Sequence, residues 1–541
     1  MDSPRGLYPV LLGVANTAAA LETADAKEAG PAAILPMLPA ACLRDNDEAT
    51  TPSATFAGRS RTPAAIALRR TVRRRHMILD HAEDAQQLHD VYELEESILG
   101  VGCFGAVRRA WLRSAPSVVR AVKAVQKRCL RTERAVRQEI SVLKRLDHPR
   151  ICRLLETFED DGAIYLVLEY IEGRELFDEI IEEGQLDEPR AAFIMSQIFG
   201  ALRYCHNLTT PCFHRDLKPE NIMVQRGPLH SEPEVKLIDF GLAVITTRKS
   251  PWGHAGSSVA GTAEYMAPET RKGKYLPASD IWSVGMILHS LLVGGLPARM
   301  EALVGDEALD FDSQEYAVLS PMARDLLRGL LRPRHSERLT AAEASGHCWV
   351  QGVVATGDVR PREFASTIRA LTAFHRSERL RRAALTAVGM QLSGQQLEDL
   401  RQQFLLIDSD GNGRISKDEF VHALSMAACG GENCGCDEDT TDWVDAIFDA
   451  VDTDGSQEIE FTEWLAAALQ EGAYRSDQAI SAAFRCFDLD GDGFIDAKEL
   501  EQVLAQTADE VAAVLPRFDC NGDGVIDFSE FKRMLTEVRI L

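Results

Sequence analysis

The chain is predicted to be α+β: a small, mostly β lobe, a larger α lobe, and then an all-α region built on a repeat. Three observations predict this. Short β-like runs crowd residues 93–125 and return at Ile164–Glu169. Longer stretches with helical spacing fill Leu176 to Val350. From Leu397 onward, a twelve-residue acidic loop recurs four times between helical segments. At 541 residues the chain exceeds a single core, and roughly two to four domains are expected.

The composition is globular, 45% hydrophobic and 26% charged. The net charge is −24, with 83 acids against 59 Lys and Arg, which argues against nucleic acid as the main partner. Residues 1–90 are rich in Ala, Pro and Thr without sustained periodicity and are expected to be disordered. Arg59–Arg75 nevertheless holds seven arginines and no acid, clustered at Arg69, Arg70, Arg73, Arg74 and Arg75. It reads as a solvated tail, an anion-docking segment or, with Arg59 three residues before Thr62, an autophosphorylation site. Tyr8–Leu21 is faintly signal-like, with poor flanks. The Met-Asp start lacks the N-myristoylation pattern, and no run of 18 apolar residues occurs. A cytoplasmic location and no transmembrane segment are expected. The 12 scattered cysteines fit reduced thiols.

The β lobe begins near Val91, with runs at Glu93–Leu99, Phe104–Ala110, Val118–Val125 and Ile164–Glu169. Within it, Val136, Ile140 and Leu143 give Arg131–Leu146 a helical stripe. The α lobe follows, with helices such as Pro189–Asn207 and Ala278–Val293. The expected divisions are an extension (1–90), a two-lobed domain (91–350), a junction (351–392) and the repeat region (393–541).

The chemistry centres on Phe213–Asn221, where Asp216 precedes Asn221 by five residues, and on Asp239, which opens Asp-Phe-Gly. Two acids and an amide so spaced can hold metal-bound phosphates and accept a hydroxyl proton. Upstream, Gly100-Val101-Gly102-Cys103-Phe104-Gly105-Ala-Val107 joins two β runs, and its glycines let backbone N–H groups approach phosphate. Ala121-Val-Lys123 follows on a third strand, and Glu139 on the helix is a partner for Lys123. A lysine so held can grip the α- and β-phosphates of a nucleotide.

These motifs, with His214-Arg-Asp216, Ala267-Pro-Glu269 and Asp280-Ile-Trp-Ser-Val-Gly285, make Val91–Trp349 resemble a eukaryotic protein kinase domain. The resemblance implies a role for each position. Asp216 would take the hydroxyl proton, while Asn221 and Asp239 would hold two Mg2+ ions. Lys218 would touch the γ-phosphate, and Thr262 would brace Asp216 and Lys218. ATP would lie under the glycine loop against Ala121, Lys123 and the hinge, Glu169–Ile171, which follows the gatekeeper Leu168. Glu269 and Arg338 would be a structural ion pair. Glu175 and Glu220 match acids that face substrate arginines, so an Arg about three residues before the target Ser or Thr is expected. Two features depart from the pattern. Leu296 to Asp310 does not look like the usual helix. Arg215 would want an anion, yet no acid lies between Gly241 and Thr262. Phosphorylation of Thr246, Thr247, Ser250, Ser257 or Ser258 would supply one.

The repeated loops have the EF-hand pattern. The first has ligands Asp408, Asp410, Asn412, Arg414 through its carbonyl, and Glu419. The second has Asp452, Asp454, Ser456, Glu458 (carbonyl) and Glu463. The third has Asp488, Asp490, Asp492, Phe494 (carbonyl) and Glu499. The fourth has Asp519, Asn521, Asp523, Val525 (carbonyl) and Glu530. Isoleucine at position 8 of each, Ile415, Ile459, Ile495 and Ile526, would pair the loops into two lobes. The third loop, richest in acids, gains most from Ca2+. The second carries Gln457 where Gly makes the sharp turn, and weaker binding is expected there. Cys429, Cys434 and Cys436 lie in an insertion that reads as a flexible loop or a zinc site. Phe364, Ile368 and Leu371 start an arginine-decorated amphipathic helix expected over 362–392.

With this junction and four EF-hands, Val91–Leu541 resembles the calcium-dependent protein kinases of plants and protists. The resemblance implies a monomeric, Ca2+-activated Ser/Thr kinase acting on basic-motif proteins. The junction would occlude the kinase at rest, sitting as a pseudosubstrate against Glu175 and Glu220, and the Ca2+-loaded hands would remove it. The alternative is a calcium-sensing scaffold with a vestigial kinase domain.

Overall fold

The computed structural model describes residues 78–81, 87–102, 105–225, 233–246, 261–297, 309–354, 365–392, 394–429, 438–469, 477–504 and 508–536. The small lobe is a six-stranded sheet in the order β1-β5-β6-β4-β3-β2. Its strands are β1 (Leu79–His81), β2 (Tyr92–Val101), β3 (Ala106–Leu112), β4 (Ala115–Gln126), β5 (Leu154–Glu159) and β6 (Ala163–Glu169). β1 runs parallel to β5, and the remaining neighbours are antiparallel. One long helix, α1 (Leu130–Leu143), carries Val136, Glu139, Val142 and Leu143 on its buried face.

The sheet starts earlier than the sequence pattern indicated. Residues 78–81 fall in the stretch read as a disordered extension, yet they add an edge strand. Ile78 is buried, and the His81 ring stacks on Phe158 with centroids 4.4 Å apart. Three residues are too few to show a period-two pattern. β5 was also missed, because it is buried along most of its length and shows no alternation.

In the large lobe, β7 (Arg174–Glu175) leads into α2 (Leu176–Glu183), then α3 (Glu188–Asn207), β8 (Cys212–Phe213), β9 (Ile222–Gln225), β10 (Glu234–Leu237) and β11 (Val244–Ile245). Asp187 caps α3 by accepting from the Arg190 N–H, and Pro189 fits its first turn. α4 (Pro277–Val293) is buried on every side from Ser279 to Leu292 and ends at Gly294, whose φ is +82°. α5 (Pro321–Leu330) packs against it. Residues 298–308, where departure from the usual helix was expected, lie outside the described residues.

The junction forms two helices where one was expected: α6 (Ala365–His375) and α7 (Arg379–Gln391). The Ser377 hydroxyl donates to Phe374 O at 2.7 Å, satisfying a C-terminal carbonyl where α6 stops. Phe374 and Leu380 on either side of the break are both buried in the EF-hand core.

That core is built by α8 (Gln395–Ile407), α9 (Lys417–Cys429), α10 (Glu438–Val451), α11 (Phe461–Ala468), α12 (Asp477–Phe484), α13 (Ala497–Leu504), α14 (Ala508–Val514) and α15 (Phe528–Thr536). Four two-residue strands, β12 (Ile415–Ser416), β13 (Glu458–Ile459), β14 (Phe494–Ile495) and β15 (Ile526–Asp527), join the loops in pairs. Ile415 faces Ile459 and Ile495 faces Ile526, the pairing the position-8 pattern predicts.

Candidate active site and calcium loops

β4 delivers Lys123 to the floor of the cleft between the lobes. Its Nζ donates to Glu139 Oε1 at 2.7 Å and to Asp239 Oδ1 at 2.8 Å. Burial pulls its pKa down, but these two carboxylates outweigh burial and hold it above the usual lysine value. Above it, Gly102 N donates to Gly105 O at 2.9 Å, closing the glycine turn. A Cβ on Gly105 would lie 2.0 Å from Ala124 O, so the loop rests directly on β4. Cys103 and Phe104 lie outside the described residues.

The catalytic loop hangs from α4. Asp280 accepts from His214 N and Arg215 N, each at 3.0 Å, and lies 3.0 Å from His206 Nε2. The loop turns through a left-handed residue, Arg215 at φ +72°, and Asp239 is likewise left-handed at +56°. Such conformations cost about 1–3 kcal/mol each and persist where surroundings over-determine them. Asp239 meets Lys123 from this conformation.

Asp216 Oδ1 accepts from Thr262 N and Thr262 Oγ1, both at 2.8 Å. Lys218 Nζ donates to the same hydroxyl at 3.1 Å and stands 3.6 Å from Asp216 Oδ2. Asn221 Nδ2 donates to Asp216 O at 2.8 Å. The structure thus brings Asp216, Lys218, Asn221 and Thr262 into one network, and Lys123, Glu139 and Asp239 into another. Glu269 and Arg338 form a buried pair at 2.7 and 3.1 Å.

Two hinge and loop expectations need refinement. The Glu169 side chain is held by two cations: it accepts from Lys236 Nζ at 2.6 Å and Arg153 Nε at 3.1 Å. Its N–H donates to Arg153 O. Burial raises the Glu169 pKa, but Lys236 and Arg153 overcome this and hold it at about 2. Thr246 is buried, with its hydroxyl donating to Pro211 O at 3.2 Å, so it is not poised as a phosphoacceptor. Thr247, Ser250, Ser257 and Ser258 lie outside the described residues. The Arg215 guanidinium stacks 3.8 Å from the Tyr275 ring centroid.

The four loops share one internal bond. The position-6 N–H donates to the position-1 carboxylate: Gly413 to Asp408 at 2.8 Å, Gln457 to Asp452 at 2.8 Å, Gly493 to Asp488 at 3.1 Å and Gly524 to Asp519 at 2.9 Å. Gln457 achieves this at φ +67°, so the second loop has the same turn despite lacking glycine. In the first three loops, one oxygen each of positions 1, 3 and 12 lies within 4.8 Å of the others. In the fourth, Asn521 replaces an acid at position 3. This donor set is all oxygen and fits a hard divalent cation such as Ca2+. Burial first, then Glu419 and Asp410, push the Asp408 carboxyl well above its usual range. Cys434, Cys436 and the Cys429 side chain lie outside the described residues.

Sequence reading missed the residues that join these two parts. Arg153 donates to Met390 O at 3.3 Å and Leu392 O at 3.1 Å; Arg120 donates to Gln391 O at 2.9 Å. Both arginines cap the C-terminal carbonyls of α7. Arg485, the residue after α12, reaches buried Glu156 on β5 at 2.8 Å. Buried Arg401 on α8 pairs with Glu234 and Glu398. Apart from the i,i+3 pair of Arg401 with Glu398, no local pattern marks these contacts, since they join residues distant in the chain.

The architecture and both networks define a protein kinase domain joined to paired EF-hands. The protein kinase domain family matches residues 92–350, and the EF-hand domain pair matches 397–469 and 476–536. Calcium-dependent protein kinase 3 of Plasmodium berghei (strain Anka) is 35% identical over 423 residues, covering 77% of this chain and 73% of that protein. Calcium-dependent protein kinase 5 of Plasmodium falciparum (isolate 3D7) is 33% identical over 79% of this chain and 73% of its own length. Calcium-dependent protein kinase 3 of Oryza sativa subsp. japonica is 34% identical, with 77% and 74% covered. The chain belongs to the calcium-dependent protein kinase family. Among the described residues, no helix is long and apolar enough to cross a membrane.

Proposed function

We propose that this calcium-dependent protein-serine/threonine kinase phosphorylates basic-motif substrates, that its junction blocks the cleft at rest, and that the Ca2+-loaded hands withdraw it. In the reaction, a substrate hydroxyl oxygen attacks the γ-phosphorus of ATP and the β–γ bridging P–O bond breaks. Asp216 accepts the hydroxyl proton. Lys218 steadies the transferred phosphoryl oxygens, and Thr262 fixes both side chains relative to each other. Lys123, positioned by Glu139, holds the remaining phosphates. Asn221 and Asp239 would hold Mg2+, which neutralises phosphate charge when bound. Little covalent help is needed, because positioning and charge neutralisation carry most of the rate.

The observation that carries the regulatory reading is the place of α6 and α7. Leu371, Phe374, Leu380, Ala384 and Val388 lie in the EF-hand core. Arg381 donates to Leu535 O at 3.0 Å and Arg382 to Ala450 O at 3.3 Å. The hands grip the junction while the Lys123–Glu139 pair is assembled. Basic specificity is supported by Glu175, whose pKa is raised by burial and then by Asp178 and Glu220; a substrate arginine would relieve that repulsion.

The test measures phosphorylation of an Arg-x-x-Ser peptide with EGTA and with Ca2+, beside Asp216→Asn and a chain ending at Val354. Turnover only with Ca2+ in the full chain, Ca2+-independent turnover in the short chain and none in Asp216→Asn are expected. Equal turnover with and without Ca2+ in the full chain sinks calcium control. No turnover at any Ca2+ concentration favours the scaffold.

A further inference from the structure

The first EF loop, Asp408–Glu419, lies on the kinase domain itself. Arg203, near the C-terminal end of α3, reaches into it: Nη1 donates to Asp410 O at 2.7 Å and Nη2 to Asp410 Oδ2 at 2.9 Å. Asp410 occupies position 3 of the loop. One turn earlier on α3, a Cβ on Gly200 would stand 2.7 Å from Gly411 O, so loop and helix backbones are in direct contact. This accounts for a glycine inside a long helix, where it costs stability relative to alanine. The Arg414 guanidinium lies 5.4 Å from the Tyr204 ring centroid and bonds Glu458 of the second loop at 2.6 Å. Asp147 completes the seat, its Oδ2 accepting from Thr462 N at 3.1 Å.

These contacts leave one carboxylate oxygen of Asp410 free of Arg203. Arg203 takes Oδ2 and the carbonyl of Asp410, while Asp410 Oδ1 accepts from Asn412 N at 2.9 Å, a bond internal to the loop. One oxygen each of Asp408, Asp410 and Glu419 still converges within 4.8 Å. We propose that Arg203 is a positioning residue of the first calcium site: the kinase domain clamps Asp410 and so raises the Ca2+ affinity of that loop. By reciprocity, Ca2+ in the loop fastens the EF-hand region to the kinase domain by the same factor. A guanidinium near a cation site also repels the cation. Here its charge is paired with Asp410, and the Arg203 side chain is 24% exposed and open to screening. The ordering of Asp410 therefore outweighs the repulsion. The inference rests on reading Asp408–Glu419 as a calcium loop.

The test uses the full chain with the other loops disabled by Glu463→Gln, Glu499→Gln and Glu530→Gln, and measures Ca2+ binding by equilibrium dialysis. Into this parent go Arg203→Met, which removes the donors, and Gly200→Ala, which removes no charge but pushes the loop off the helix. Each is expected to raise the dissociation constant about five-fold or more, with partial recovery in Arg203→Lys. Hydrogen exchange in α3 at saturating Ca2+ should rise in both weakened variants. Unchanged or tighter Ca2+ binding in Arg203→Met and Gly200→Ala overturns the inference alone. Absence of Ca2+ binding in the parent overturns the calcium-loop reading, and the inference with it.

Discussion

Gln457 does with a side chain what glycine does in the other three loops. Its left-handed backbone, φ +67°, carries strain of about 1 kcal/mol. Gln457→Gly is therefore expected to raise the Ca2+ affinity of the second loop by a few-fold, read by calorimetric titration; lower affinity would show that the strain is not felt there. Glu169 gives a pH prediction. Its folded pKa, about 2, lies below its ordinary value of 4.5, so its contribution is present above pH 4.5 and is lost as pH falls toward 2. The contribution is on the order of 3 kcal/mol. Urea unfolding at pH 6 and pH 3 should show a smaller acid loss in Glu169→Gln than in the parent chain.

At the scale of elements, the glycine loop depends on contact with β4 as much as on its own flexibility. A Gly105 Cβ would meet Ala124 O at 2.0 Å, and backbone has nowhere to go without moving the strand that carries Lys123. Gly105→Ala is expected to raise the KM for ATP at least ten-fold, measured in steady-state kinetics with the peptide held saturating. An unchanged KM would mean that the loop can lift without losing its grip on phosphate. The motif was legible as G-x-G-x-x-G, but nothing in that spelling distinguishes the glycine packed on a strand from the one at Gly100, beside which a Cβ meets nothing.

Across the whole molecule, α7 is the element that both parts hold. Its apolar face is buried among the hands, and Arg120 and Arg153 of the kinase domain cap its last carbonyls. A hydrogen bond from a charged donor is worth about 1.5–3 kcal/mol. Arg120→Met leaves Gln391 O without that donor and should raise the Ca2+ concentration for half-maximal activity several-fold, with turnover at saturating Ca2+ retained. A calcium dependence identical to that of the parent would show that the cap does not help hold α7 between the two parts.

The motifs that carry chemistry were legible because each is local. Asp216 and Asn221 share one loop, the EF ligands fall within twelve residues, and backbone geometry ties spacing to position. Lys123, Glu139 and Asp239 were legible through their order along the chain. The isoleucine pairing followed from one repeated position. Tertiary structure alone decided the rest. It broke the junction at Ser377, added residues 79–81 to the sheet, turned the Glu169 side chain toward Arg153 and Lys236, and seated Asp410 on Arg203. Apart from the local Ser377–Phe374 bond at the break, these depend on partners that the chain supplies beyond local reach, and periodicity records which face of an element is buried but not what buries it.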